Sequence, residues 1–160
     1  MRIDPKAWRI ELSAQTFATF RPGPAAGSGA PAWRAEAGRQ WHETLRERAE
    51  ASGAGWQFEV SVDCEIRSLG WTLAIGGRAD QWRESDGEIA IREVKTVNGG
   101  LPRDPSALRE RYPHHFLQLA VYCHAARLLP GTRGVRGEVV FVNPTDGTLQ
   151  AVPLGDDAER

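Results

Sequence analysis

Cysteine and lysine are scarce in this chain of 160 residues. Two cysteines, Cys64 and Cys123, are too few for a disulfide framework or a four-thiolate metal site, which favours a reducing, cytoplasmic setting. No apolar run approaches the length of about 18 residues that a membrane-spanning helix needs. Residues 1–5 also lack the apolar core of a secretory signal, so we expect neither a membrane role nor secretion.

Excess charge of one sign is also lacking. The chain has 20 basic and 21 acidic residues and a net charge of −1, which argues against a protein that coats nucleic acid through a general basic excess. Hydrophobic residues make up 41% and charged residues 26%, a composition typical of a soluble globular fold. The length fits one domain. Only Lys6 and Lys95 are lysine, so each lysine is conspicuous among the arginines.

The proline and glycine residues that interrupt secondary structure, together with the apolar periodicity, predict three parts along the chain. Residues 1–31 form an N-terminal arm, in which Leu12, Phe17 and Phe20 can pack, followed by a Pro/Gly-rich loop over residues 21–31. Residues 32–154 form the folded domain, and residues 155–160 form a flexible C-terminus. We therefore expect a single core.

Within the domain, the patterns predict helices and strands in the order αβββαβ. The first helix covers residues 33–52, with Ala37, Trp41 and Leu45 on its buried stripe. Alternating apolar residues predict strands over residues 58–66, 71–80 and 89–97, and Asp86-Gly87 predicts a tight hairpin. A second helix over residues 106–129, interrupted near Pro113, precedes strands over residues 138–142 and 148–154. The order predicts an α/β fold with a central mixed sheet flanked by helices.

Two carboxylates, Asp80 and Glu93, lie on neighbouring predicted strands joined by that hairpin. They can point into one oxygen-rich site suited to a hard divalent cation, Mg²⁺ or Mn²⁺. Glu93 and Lys95 are two residues apart on a strand and therefore share a face. An acid and an amine on an otherwise apolar face are costly unless they are paired or bind metal. This trio suggests metal-assisted hydrolysis of a phosphodiester.

Each of these residues also has an ordinary structural explanation. A histidine such as His42 on an amphipathic helix can be a satisfied core group. Asp80 can cap a turn, and Glu93 with Lys95 can be a solvated pair on an edge strand.

The ordered motifs Gly38-x-x-x-His42, Gly77-x-x-Asp80, Glu93-x-Lys95 and Gln118-x-x-x-Tyr122 resemble the PD-(D/E)XK nuclease superfamily, and most closely its RecB-like branch. The resemblance covers most of residues 33–154, as scattered motifs. It implies a restriction-endonuclease-like core.

The resemblance also implies roles for individual residues. His42, Asp80 and Glu93 would bind Mg²⁺ or Mn²⁺ together with the backbone carbonyl of Val94. Lys95 would be the catalytic lysine, and Gln118 and Tyr122 would assist near the metal or the DNA strand. Iron–sulfur branch members use four cysteines, so the two ungrouped cysteines here predict no cluster.

The function implied is that of a metal-dependent DNA nuclease acting on single strands or ends in repair, recombination or defence. Such domains are often joined to helicases, so a helicase in cis or in trans is an expected partner. A catalytically inactive DNA-binding or partner-docking module of the same fold is the main alternative, and a small-molecule metallohydrolase is another.

Further residues near the motifs are candidates for contact with DNA. The arginines can clamp phosphates, the tryptophan can stack on bases, and the histidine lies one helical turn before Gln118. An arginine-rich surface that merely reflects codon usage is an equal explanation for the arginines. These candidates are Arg78, Trp82, Arg103, Arg109, Arg111 and His114.

Overall fold

A computed structural model describes residues 1–21, 32–97 and 100–155, and for residues 32–35 and 37 it describes the backbone alone. Within these ranges a seven-stranded mixed sheet is flanked by helices on both faces, as in restriction-endonuclease-like folds. In chain order the elements are β1 (Arg2–Asp4), β2 (Arg9–Ser13), α1 (Ala14–Thr19), α2 (Ala32–Ala51), β3 (Gln57–Ser68), β4 (Trp71–Ser85), β5 (Glu88–Thr96), α3 (Pro105–Arg111), α4 (Pro113–Arg127), β6 (Gly134–Val142) and β7 (Leu149–Pro153).

The long strand β4 organises the sheet. Antiparallel β3 pairs with one edge of β4 over almost its whole length. The other edge is divided, because parallel β2 pairs with residues 72–76 and antiparallel β5 pairs with residues 81–85. Residues 77–80 therefore lie in a gap between β2 and β5. Beyond β5 come parallel β6 and antiparallel β7, and β1 flanks β2.

The two faces of the sheet are covered by different helices. Helix α4 packs on one face in the main core, where Ile89 and Ile91 of β5 lie buried. On the opposite face, Leu45 of α2 packs against Val94 of β5, with residues of β6 completing a smaller cluster. Alternate side chains of β5 thus pack into the two cores on opposite faces of the sheet.

The predicted hairpin between β4 and β5 is confirmed, since Asp86 and Gly87 both have positive φ, 52° and 78°. Strand β4 continues to Ser85, five residues past its predicted end, because the turn, and not Asp80, ends it. The second predicted helix is divided into α3 and α4 at Tyr112, whose φ of −128° is non-helical. The residue before a proline disfavours the helical region, so Pro113 begins a new helix.

The N-terminal arm contains two strands and a helix that the apolar pattern did not predict. Helix α1 begins at Ser13, whose side chain accepts a hydrogen bond from Thr16 N. Residues 22–31 of the predicted loop and residues 156–160 of the predicted flexible end lie outside the described residues. None of the described helices has the length and apolarity needed to cross a bilayer.

Candidate active site

The ladder between β3 and β4 is interrupted at one position, Glu59 opposite Asp80. Glu59 has a φ of +50°, which is uncommon for a side-chain-bearing residue, and the pairs on either side keep the same register. Across the interruption the alternation of side chains changes phase, since Ala79 and Trp82 both lie in the α4-side core. Asp80 thus lies where β3–β4 pairing is interrupted and, on the other edge of β4, at the end of the gap between β2 and β5.

Phe58 shows the same change of phase on β3. The alternation predicts that it points with Val60 and Val62, but its ring lies 5.1 Å from the guanidinium carbon of Arg46 on α2. That prediction is wrong for Phe58, because the backbone turn at Glu59 reverses the face.

Asp80 contacts both β5 and α2. Its Oδ2 accepts a hydrogen bond of 2.7 Å from the backbone N–H of Val94. Its Oδ1 lies 3.6 Å from Nδ1 of His42, which is too long for a hydrogen bond but close enough for a shared ligand. The His42 side chain is 41% exposed, so it lies at the opening of the site.

Glu93 is the most deeply buried acid of the site, at 1% exposure. One oxygen, Oε1, accepts hydrogen bonds from Lys95 Nζ at 2.6 Å and from Gln118 Nε2 at 2.8 Å. Gln118 also donates to the hydroxyl of Tyr122 at 3.1 Å. The structure thus brings Lys95, Gln118 and Tyr122 together around Glu93, and the alternative of a solvated Glu93–Lys95 pair is wrong.

Burial and neighbouring charge shift the acid–base properties of this group. Burial raises the pKa of Glu93 to about 7, the Asp80 carboxylate adds to the rise, and Lys95 opposes it. Burial acts to lower the pKa of Lys95, but the Glu93 and Asp80 carboxylates outweigh it and the pKa is raised. Lys95 therefore stays protonated at neutral pH. Burial also raises the pKa of the Tyr122 hydroxyl.

Gly77 is required by the position of Tyr122. A Cβ at Gly77 would lie 2.6 Å from the Tyr122 hydroxyl oxygen and 2.8 Å from its ring. The glycine of the Gly77-x-x-Asp80 motif therefore makes room on β4 for a tyrosine of α4. By contrast, a Cβ at Gly38 would meet Thr96 at an ordinary 3.6 Å, so Gly38 is not needed for close packing.

The second carboxylate oxygen of Glu93 indicates whether these residues could bind a metal ion. Oε2 is buried and has no hydrogen-bond partner, an arrangement that is costly for a carboxylate unless a cation completes it. His42 and Asp80 add an imidazole nitrogen and a carboxylate, which suit Mg²⁺ or Mn²⁺. Among the described residues no three His, Cys, Asp or Glu side chains already form a cluster that could hold a metal. The chemistry of the donors fits a divalent ion, whereas their arrangement is not that of a closed site.

The candidate DNA contacts lie in different surroundings. Trp82 lies inside β4, is 5% exposed and packs in the core, so the prediction that it stacks on bases is wrong. Arg78 is exposed and paired with Glu59 at 2.7 Å. Arg109 donates to the backbone carbonyl of Pro153, so it holds the end of β7. Arg103 and Arg111 are exposed, while His114 is half-buried and its pKa is lowered by burial.

Gln81 is a site residue that the sequence did not single out. It is 5% exposed and lines a cavity of about 50 Å³ that is also lined by His42, Asp80 and Val94. A polar residue next to Asp80 within a strand that continues to Ser85 was the available signal. The apolar pattern hides this signal because it predicts a strand that ends at Asp80.

Comparison with known proteins agrees with the fold. A family model of the PD-(D/E)XK nuclease superfamily matches residues 3–159. Among solved structures, a crystal structure of SSO0001 is 24% identical, with a TM-score of 0.55, and the match covers 79% of this chain. The match covers 55% of that chain, so this chain spans little more than half its length. No match was found among curated proteins. Since the family match extends over nearly every residue, the chain belongs to the PD-(D/E)XK nuclease superfamily.

Proposed function

We propose that this chain is a divalent-metal-dependent deoxyribonuclease that hydrolyses phosphodiester bonds in single-stranded DNA or at DNA ends. The observation that carries the proposal is the buried Glu93 carboxylate. One of its oxygens is held by Lys95 and Gln118, and the other is buried without a hydrogen-bond partner. The charge of Asp80 also acts on this carboxyl group.

We assign the metal-binding role to His42, Asp80, Glu93 and the backbone carbonyl of Val94. A bound Mg²⁺ or Mn²⁺ would supply Lewis-acid polarisation of the phosphate and of the attacking water. The hydrogen bond from Val94 N to Asp80 fixes that carboxylate relative to β5. Two donors on Glu93 Oε1 leave its Oε2 as the available oxygen.

Lys95 acts on the substrate through its ammonium group. Its positive charge is retained because Glu93 and Asp80 raise its pKa, so it can offset charge that develops on the phosphate oxygens. A hydrogen bond from the same ammonium group can orient the attacking water. Gln118 donates to Glu93 and to the Tyr122 hydroxyl, so Gln118 holds Glu93, Tyr122 holds Gln118, and both are positioning residues.

The proposal is tested with labelled single-stranded and duplex DNA in the presence and absence of EDTA. We expect cleavage that needs Mg²⁺ or Mn²⁺ and that Asp80→Ala abolishes. Asp63→Ala, which removes an exposed carboxylate of β3, is the matched control and should cleave like the wild type. Cleavage that persists in EDTA or in Asp80→Ala contradicts the proposal.

The inactive-module alternative makes a different prediction from the same assay. It predicts DNA binding without metal-dependent cleavage on single-stranded, forked or duplex substrates. Turnover of a small phosphoester but not of DNA would instead support a small-molecule hydrolase. A helicase partner and a role in repair, recombination or defence stay predictions from the resemblance, and a cytoplasmic location stays a prediction from the low cysteine content.

A further inference from the structure

A groove runs from the candidate site along the sheet face that α2 covers. Its inner part, about 460 Å³, lies beside the C-terminal half of α2 and shares Gln81 and Val94 with the small cavity beside His42 and Asp80. Its outer part, about 510 Å³, continues towards the β4–β5 hairpin. Trp56, Arg92 and Glu138 line both parts, so the two adjoin. We call this feature the arginine groove; its charged and aromatic lining consists of Arg48, Trp56, Arg83, Arg92, Arg136 and Glu138.

The groove concentrates positive charge in a chain whose net charge is −1. Four arginines line it against a single carboxylate, Glu138, which pairs with Arg92. Within the described part of the chain, no ion pair joins Arg48, Arg83 or Arg136 to an acidic side chain. These unpaired guanidinium groups can therefore bind anionic groups of a ligand.

Trp56 adds an aromatic surface among these charges. The guanidinium carbons of Arg92 and Arg83 lie 4.4 Å and 4.8 Å from its ring centroid, and the side chain is half-buried. Such cation–π contacts fix the ring and hold both guanidinium groups beside it. Aromatic rings interleaved with arginines are typical of sites that bind single-stranded nucleic acid, where bases stack and phosphates pair with the cations.

The length of the groove also suits a short stretch of nucleic acid. Arg83 lies three residues along β4 from Asp80, which is roughly 10 Å at the rise of a strand. That distance equals about three nucleotides at the 3.4 Å spacing of a stacked strand.

We infer that a single DNA strand passes from the candidate site into the arginine groove, with its phosphates on the arginines and a base against Trp56. This inference rests on the proposed function, because the groove adjoins the site through Gln81 and Val94. That continuity favours nucleic acid over an acidic polypeptide, which would need no connection to Asp80.

The test measures binding separately from cleavage. The dissociation constant of a fluorescent oligothymidylate is measured by anisotropy in EDTA, over a series of salt concentrations, for wild type, Arg83→Glu and Arg136→Glu. We expect each variant to bind roughly tenfold more weakly at low salt, with the slope of log Kd against log salt reduced by about 0.7 per lost phosphate contact. Arg67→Glu makes the same charge change on β3, opposite Thr72 near the start of β4 and away from the groove, so it is the control and should match the wild type.

Several outcomes would overturn the inference. If Arg83→Glu and Arg136→Glu keep the wild-type affinity and salt slope while their melting temperatures are unchanged, the groove does not bind the strand. If poly-glutamate competes as well as the oligonucleotide, the groove is a site for acidic polypeptide instead. Where a variant loses thermal stability, Arg83→Gln or Arg136→Gln replaces it.

Failure of this inference is distinguishable from failure of the proposed function. If the protein cleaves DNA in a metal-dependent way but the groove variants bind DNA like the wild type, the groove inference is wrong and the proposed nuclease function stands. If the groove variants bind DNA more weakly but the protein never cleaves DNA, the groove inference stands and the proposed nuclease function is wrong.

Discussion

At the residue scale, Lys95 couples the two properties that the proposed chemistry needs, a retained charge and a fixed position. We predict that Lys95→Ala lowers the metal-dependent cleavage rate by about 100- to 1,000-fold, since it removes a cation aimed at developing charge. Lys95→Arg should not restore the rate, because the larger planar guanidinium cannot take the place of a compact ammonium beside Glu93.

The other lysine of the chain supplies the control for this prediction. Lys6 is exposed, so Lys6→Ala should leave the rate unchanged. Single-turnover cleavage of a labelled oligonucleotide measures the rate, and its dissociation constant reports binding. A Lys95→Ala protein that cleaves within about threefold of the wild type contradicts the role given to this residue.

Gly77 gives a second prediction at this scale. Gly77→Ala places a methyl group within 2.6 Å of the Tyr122 hydroxyl, so the tyrosine must move and its hydrogen bond from Gln118 is lost. We expect unfolding free energy to fall by about 1–3 kcal/mol in urea titrations. Gly100→Ala, where a Cβ meets nothing within 4 Å, is the control.

A double-mutant cycle identifies the cause of that loss. Combined with Tyr122→Ala, the Gly77→Ala substitution should cost less than it does alone, because the clash is removed. Strict additivity of the two substitutions would show that Tyr122 is not what excludes a side chain at Gly77.

Residue spacing predicted part of this site and missed another part for identifiable reasons. The spacing of Glu93 and Lys95 placed both on one face, because β5 is regular there. The position of Asp80 depends on the interrupted β3–β4 pairing at Glu59. Such an interruption cannot be recognised from the alternation of apolar and polar residues in the sequence. The same interruption explains why the alternation predicts the wrong face for Phe58, whereas Trp82 is buried because β4 continues past Asp80 to Ser85.

At the element scale, α4 shows where periodicity alone falls short. The sequence predicts one apolar face with Gln118 and Tyr122 at its margin, yet both are buried. Contacts from α1 and α3 on the flanks of α4 widen the buried surface beyond the stripe that faces the sheet. Likewise β1 and β2 are short, β1 is exposed and β2 is partly exposed. β2 is held by its parallel pairing with β4, a contact that local sequence does not reveal.

His115 on α4 gives a prediction for pH. Burial is the main cause that lowers its pKa to about 3, with Lys95 and His114 adding to it. Since the unfolded chain takes up this proton near pH 6.5 and the folded chain does not, the contribution of His115 to stability is intact above pH 6.5 and falls as pH drops towards 3. His115→Phe, which keeps a ring beside Tyr112 and Phe141, should flatten this loss.

The measurement is the difference in unfolding free energy between variant and wild type at several pH values, which cancels the opposite slope from Glu93. His124→Gln, on the exposed side of the same helix, is the matched control. A difference between His115→Phe and the wild type that is constant from pH 8 to pH 4 would contradict this account.

At the scale of the whole molecule, the sheet has a stable centre and a weak margin. β5 and β6 are paired on both sides and contribute residues to both cores, whereas β1 is exposed at every position. We predict that amide hydrogen exchange is slowest in β5 and β6 and fastest in β1. Mass spectrometry of exchanged peptides measures it, and equal protection of β1 and β5 would contradict the prediction.

The central claim is that side chains from α2, β4 and β5 meet around one divalent ion. The most direct measurement is the anomalous difference density of a crystal of the wild-type protein grown with Mn²⁺. The account predicts a peak bounded by the His42 imidazole and the carboxylates of Asp80 and Glu93. A Mn²⁺ peak elsewhere, with these three side chains well ordered and no density between them, would contradict it.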